Sequence, residues 1–383
     1  MRAPAEIEVL RSLREVSSID WDGGVDPNDP FTEHAFLALL EESGCLGAQA
    51  GWLPMHLLVR ENGEVVGRSP LYLKNNSYGE YIFDWGWADG AHHAGIPYYP
   101  KLVSAVPFTP ATSRRFLTDR HEVRLVLVEG MLKLMETTRA HSLHLLFTTA
   151  EERTGLEDHA ALIGRSTHQF HWDNEGYEDF SAWLGTLRSK YRKMVKRERR
   201  APTDTGTQIH MWRGDELTPS RWQTMHALYQ DTIRRKHAQP YLTPAFFELA
   251  PSRVAHSAVI FAATVGEEVV AASLCFQRGS HLYGRYWGCR PGFRALHFEL
   301  CYHAPIAACI AEGWTHFEAG AQGMHKLKRG LMPAETHSLH HLREPRLHQA
   351  VAEAVREENK RTAEEMEHLT TFGPFRASQE APS

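Results

Sequence analysis

The segment with the densest chemistry is residues 320–330, which reads Gly320-Ala321-Gln322-Gly323-Met324-His325-Lys326-Leu327-Lys328-Arg329-Gly330. Gly320 and Gly323 permit close backbone approach, and His325, Lys326, Lys328 and Arg329 follow at once. Such a loop can hold a phosphate, a carboxylate or the oxyanion of a tetrahedral intermediate; it can also be a solvated basic turn. Glu299 lies two residues beyond His297, in the first turn of an expected helix. Burial there would raise its pKa toward neutrality and make it a general base for an attacking amine, although the helix dipole alone favours a Glu at that place. Glu80, Tyr81 and Asp84 are the matching candidates in the first half of the chain, assigned to the acceptor side. Arg290-Pro291-Gly292-Phe293-Arg294-Ala295 sets two cations around a glycine turn, either as an anion site or as a connection with solvated arginines.

Residues 188–200, RSKYRKMVKRERR, hold eight Lys or Arg in thirteen positions, while Leu187, Tyr191, Met194 and Val195 form an apolar stripe at helical spacing. This predicts a basic helix for RNA phosphates, an anionic substrate or a membrane surface, or else a solvated face. The sequence has no G-x-S-x-G elbow, Walker loop or H-E-x-x-H pair, so serine hydrolase, nucleotide hydrolase and zinc protease chemistry lack support. Cys45, Cys275, Cys289, Cys301 and Cys309 are odd in number and scattered, which predicts reduced thiols and no structural metal. Most of the 24 histidines read as surface composition.

These groups must be positioned by a fold, and the pattern around them repeats. Residues 56–73 and 259–276 each read as strand, glycine turn and strand, and each is followed by an aromatic-rich third strand ending in Trp-Gly, Tyr78 to Gly86 and His281 to Gly288. Helical periodicity follows in Val123, Leu127, Met131 and Leu134, and in Leu300, Ala304, Ala307, Ala308 and Ala311, with a further strand after each. Amphipathic helices are predicted before each hairpin, at 31–42 and 219–234, and a charged one at 347–369.

Antiparallel strands with a helix springing from the central one resemble the GNAT acyltransferase fold, and two in tandem resemble the Fem-type peptidyl transferases. Residues 78–85, 98–102, 106–110, 171–177, 297–302 and 317–323, with His325-Lys326 and Arg329-Gly330, are similar to the peptidoglycan biosynthesis/recognition family of that superfamily. The resemblance spans about residues 54–342. It implies an α/β (α+β) protein of tandem GNAT-like domains, each a mixed, largely antiparallel sheet flanked by helices. The domains are expected at 1–165 and 166–345, with a C-terminal helix and tail at 346–383. It also implies N-acyl transfer from acyl-CoA to a small-molecule or peptide amine, with a Fem-like aminoacyl-tRNA donor or a non-catalytic binding module as alternatives. GNAT enzymes seat the coenzyme pyrophosphate on an Arg/Gln-x-x-Gly-x-Gly/Ala loop, and residues 290–295 keep Arg290 and Ala295 but place Phe293 at the central glycine. On this reading Glu299, His325 and Lys326 are catalytic, and Arg290, Arg294, Gly320, Gly323 and Arg329 bind the donor. A tRNA would lie on the 188–200 helix, and no metal is required.

Length and composition agree with that scale. The chain has 383 residues, 42% of them hydrophobic and 23% charged, and a formal charge of −5, enough for two cores and no global trap for nucleic acid. The N-terminus lacks a signal-peptide core and no apolar run approaches the about 18 residues of a membrane span, which predicts a cytoplasmic protein without a transmembrane segment.

Overall fold

In the computed structural model, which describes residues 5–321 and 323–376, both hairpins form where alternation and turns place them: His56–Glu61 with Glu64–Ser69, and Ala258–Val265 with Glu268–Arg278. The described residues divide into two units. The first draws on residues 5–168, Tyr241–Leu249 and Glu335–Glu364, and the second on Gln169–Pro240, residues 250–321 and 323–334, and residues 365–376. The chain therefore does not change unit at one point, and the expected boundary at 165/166 falls inside the strand Ile163–Asp173. Residues of the C-terminal helix, Pro345–Thr371, count to both units.

In the first unit, Glu6–Leu10 pairs antiparallel with the hairpin to give three strands. Pro70 then interrupts the path, because a residue without an N–H cannot continue a ladder. The chain resumes as Tyr72–Lys74, antiparallel to Lys101–Ser104, which runs parallel to Ser142–Thr148. A parallel pair needs a crossover, and the helix His121–Thr137 supplies it. Its Val123, Leu127 and Met131 stripe is buried with Leu57, Val59, Leu102 and Leu143.

In the second unit, Gln208–Arg213, Ala258–Val265, Glu268–Arg278 and His281–Cys289 form a continuous antiparallel run. His281–Cys289 is parallel to His316–Glu318, which pairs antiparallel with His171–Asp173. The order of pairings is the same as in the first unit, so the protein is a tandem α/β fold of GNAT type, with mixed sheets flanked by helices.

The third strand of the first unit is Lys101–Ser104 and not Tyr78–Gly86. Gly79 and Tyr81 have φ of 79° and 64°, which no strand accommodates, and Trp85-Gly86 opens the helix Trp85–His93. Aromatic density there reflects a packed irregular segment. In the second unit the matching expectation is met, and the glycine of Trp287-Gly288 has a steric reason. A Cβ at Gly288 would lie 2.2 Å from the Leu228 carbonyl oxygen, in the helix Pro219–Lys236 that packs on this strand through Trp222, Met225, Leu228 and Tyr229. Among the described residues no helix is long and apolar enough to cross a membrane.

Gly288→Ala must push that helix off the sheet. Overpacking of this kind costs about 1–3 kcal/mol, and urea unfolding should show a loss in that range, whereas Gly266→Ala at the hairpin turn, where a Cβ meets nothing, suffers only from its φ of 58°.

Candidate functional site

The helix after His281–Cys289 does not start cleanly. Pro305 has no N–H and its ring would clash with the carbonyl four residues back, and the turn before it widens: Ala304 N–H bonds the Glu299 carbonyl, five residues back, and Glu299–His303 is one π-turn. Its side chains fan toward different partners. Glu299 Oε1 lies 3.6 Å from Arg199, Tyr302 Oη 2.9 Å from His325 Nε2, and His303 Nε2 2.8 Å from Glu198 Oε2. Glu299 is 3% exposed and its Oε2 has no hydrogen-bond partner among the described residues. Burial raises its pKa to about 7, with Arg199 opposing and Glu198 adding to the rise. A carboxyl group so poised can take and return a proton near neutral pH.

Residues 320–330 close on the same turn. Gly320, at φ 81°, turns the chain after His316–Glu318, and its carbonyl accepts a hydrogen bond from Lys326 Nζ. Lys326 is buried, which lowers its ammonium pKa to about 8 against the opposing pull of Cys301 and Glu318. Arg329 is buried as well. It donates to both oxygens of Glu198 at 3.0 and 2.5 Å and to the His325 carbonyl at 2.6 Å, and its guanidinium lies 3.5 Å over the Phe298 ring. Arg329 is therefore a structural clamp in this conformation. His325 is exposed, with His297, Phe298 and Tyr302 around its ring; burial of part of the ring, then Arg329 and Lys326, depress its pKa and keep it neutral at pH 7. Gly323 is at φ 121°, and Gln322 lies outside the described residues.

The predicted basic helix forms as Ser189–Glu198, with Tyr191 and Val195 buried on its inner face. Glu198 at its end is the residue that holds it to Arg329 and His303. Its outer side, together with Lys328, makes a groove of about 330 Å³ lined by Lys190, Tyr191, Lys193, Met194, Arg197 and Lys328. Four cations along one groove suit a polyanion.

Arg290 and Arg294 lie elsewhere. Arg290 Nε is 2.9 Å from Glu268 and borders a separate cavity of about 530 Å³ with His210, Trp212 and Arg221. Arg294 is exposed on the short 3-10 turn Arg294–Leu296. The amides of Phe293, Leu296 and His297 bond to carbonyls within this turn.

In the first unit Glu80 and Asp84 are buried against lysines. Lys101 Nζ donates to Ser77 Oγ at 2.7 Å, Glu80 at 2.8 Å and Asp84 at 2.6 Å. Lys74 Nζ stands 3.6 Å from Glu80 and 3.5 Å over the Trp52 ring. Tyr98 Oη donates to Asp84 at 2.7 Å and lies 3.3 Å from His144 Nε2, whose ring meets His340. Burial outweighs the nearby lysines at Glu80 and raises it to about 7; at Asp84 burial is outweighed by Lys101, and the carboxyl stays ionised. Lys74 is lowered to about 7 by burial, and His144 to about 3 by burial and then Lys101. The Tyr81 ring faces Tyr241, which stacks on Phe108 at 4.8 Å.

Residues 12–377 match the FemAB-like family, described as peptidoglycan biosynthesis/recognition. The chain belongs to the FemAB-like family. Among solved structures, one titled as the crystal structure of FemX is similar over 88% of this chain and 98% of its own, with a TM-score of 0.54 at 11% identity. A conserved protein of unknown function from Bacteroides thetaiotaomicron is similar over 88% of this chain and all of its own, with a TM-score of 0.53 at 11% identity. At such identities the likeness is one of fold. No curated protein matches the sequence at a significant level. Membership makes this a Fem-like protein of the peptidoglycan-related transferase class on a GNAT fold.

In this FemAB-like protein the sequence pattern missed Lys74, Lys101, Tyr98 and His144. The signal was present, since a lysine in Tyr72-Leu73-Lys74 and another in Lys101-Leu102-Val103 stand within strands where solvent-facing charge is not expected. Glu198 and Tyr302 were missed because their partners are remote in sequence.

The Glu299 shift predicts a pH-dependent stability. The unfolded carboxyl, with a pKa of 4.5, gives up its proton first, so stability falls as pH rises from there to about 7. Glu299→Gln should melt like the parent at pH 4 and gain on it by a few kcal/mol, roughly 1.4 per pKa unit, above pH 7. In the first unit Lys101→Met leaves two buried carboxylates short of their cation, and urea unfolding should register a loss of about 3–5 kcal/mol, part of which Glu80→Gln in the same chain restores.

Proposed function

We propose that this FemAB-like protein transfers an aminoacyl group from an ester on tRNA to an amine of a cell-wall peptide precursor. The groove of Lys190, Lys193, Arg197 and Lys328 carries the reading, because its size and charge suit a nucleic-acid backbone. The departure from the coenzyme-binding pattern at residues 290–295, where Phe293 takes the place of the central glycine, favours an RNA ester over an acyl thioester. The acceptor class follows the family description.

In this reaction the Glu299 carboxylate takes a proton from the acceptor ammonium. The free amine attacks the ester carbonyl and forms a C–N bond, and the carbonyl electrons move onto oxygen. The oxyanion is stabilised by His325, the exposed donor of the loop, within the positive field of Lys326. The added nitrogen loses its second proton to solvent, and collapse re-forms the carbonyl, breaks the C–O bond, and returns the proton from Glu299 to the departing ribose oxygen. The Tyr302 hydroxyl orients the His325 ring.

The test is transfer of a labelled amino acid from charged tRNA to a peptide amine. Label transfer should vanish with ribonuclease. Replacing Lys193, Arg197 and Lys328 with Ala should raise KM for the tRNA with little change in kcat, and reduce the slope of log affinity against log salt by roughly 0.7–0.9 for each phosphate no longer neutralised. Ribonuclease-insensitive transfer from acyl-CoA, with the triple variant at parental KM, would sink the RNA-ester reading.

A further inference from the structure

We propose that His171, His316 and Glu318 in the second unit form a binding site for a divalent ion of the zinc class. Strand register puts them together. Glu318 stands directly opposite His171 across an antiparallel pair, and His316 stands opposite Asp173. Side chains two apart share a face, so the three candidate ligands and Asp173 all project to one side of the sheet. Their ligand atoms all lie within 4.8 Å of one another.

The separations match what a metal needs. His316 Nε2 is 3.6 Å from Glu318 Oε1, and His171 Nε2 is 4.0 Å from Glu318 Oε2. Ligands on a tetrahedral zinc, with bonds of about 2.0–2.1 Å, sit roughly 3.3 Å apart, so side-chain shifts of under an ångström close the site. Glu318 Oε2 is buried and without a hydrogen-bond partner among the described residues, which is the state of a ligand oxygen awaiting its ion. The side chains of His171 and Glu318 are 7% and 5% exposed and that of His316 is 19% exposed, which leaves an approach from the His316 side.

A second layer of support is in place. Asp173 Oδ1 holds His316 Nδ1 at 2.6 Å, which fixes the ring and leaves Nε2 facing Glu318. Carboxylate, imidazole and metal in series is the usual way a protein orients such a ligand. Gln169 Oε1, 3.3 Å from His171 Nε2, would release that bond on metal binding. Two imidazoles and one carboxylate are a borderline donor set, which selects zinc or cobalt over magnesium or calcium and leaves a fourth position for water. The competing reading is a closed ion pair of His316 with Asp173 and Glu318 that binds nothing.

The experiment uses the full chain, stripped with chelator and titrated with Co(II). One equivalent should produce the visible d–d absorption of a tetrahedral site, zinc should displace it, and zinc should raise the melting temperature. Glu318→Gln should abolish the band, and Asp173→Asn should weaken binding about 10–100-fold with the ligands intact. The Asp173 variant and the parent chain keep the test decisive if Glu318→Gln fails to fold. No band in the parent chain, or an undiminished band in a folded Glu318→Gln variant, would overturn the site.

Discussion

The architecture around the candidate site depends on the carboxylate of Glu198. It sits at the C-terminal end of a helix, where the dipole disfavours a negative charge, and it is the acidic residue within an otherwise basic run. Burial also works against its ionisation, and the bonds from His303 and Arg329 outweigh that and hold it charged. Through two oxygens it ties together three segments distant in sequence: the basic helix, the π-turn and the end of the glycine-rich loop. Arg329 in turn braces the His325 carbonyl and covers Phe298. Because both ends of this pair are largely withdrawn from water, loss of either would leave a desolvated charge, and the three segments would no longer share a geometry.

The two units show how one topology supports different chemistry. In the first, the charges are turned inward and neutralise one another: Lys74 and Lys101 against Glu80 and Asp84, with Tyr98 completing the bonds. In the second, the charges are layered, with Glu198, Arg329 and His303 inside and Lys190, Lys193, Arg197 and Lys328 outside. The break at Pro70 has no counterpart in the strand Glu268–Arg278, which runs on without interruption.

Much of the fold was legible in the sequence because the relevant signals are local. Alternating apolar residues around Gly63 and Gly266 mark the hairpins, and the Val123, Leu127, Met131 stripe marks the crossover helix. The segment Tyr78–Gly86 misled because aromatic residues favour strands and packed irregular chain alike, and only the positive φ of Tyr81 separates the two. Chemistry was legible as residue type and obscure as partnership. Glu299, His325 and Lys326 stood out by residue type, while the contact of Arg329 with Glu198, 131 positions away, did not. The His171 and Glu318 pairing depends on strand register, which no spacing rule over so long an interval can supply.

The π-turn also bears on how such a site is gained or lost in descent. One residue advances an α-helix by about 100°, so a single insertion there rotates everything upstream by that angle while the helix beyond keeps its phase. Here Ile306, Cys309 and Ile310 remain inward-facing on Ala304–Glu312, and the rotated residues are Glu299 and those just before it. A deletion of one codon within 299–303 would remove the extra residue of the turn while the helix beyond keeps its phase, and would swing Glu299 away from Arg199. The fold could thus shed this arrangement of groups, or acquire it, in a single mutational step, provided that Leu296 and Leu300, buried just upstream, find new packing.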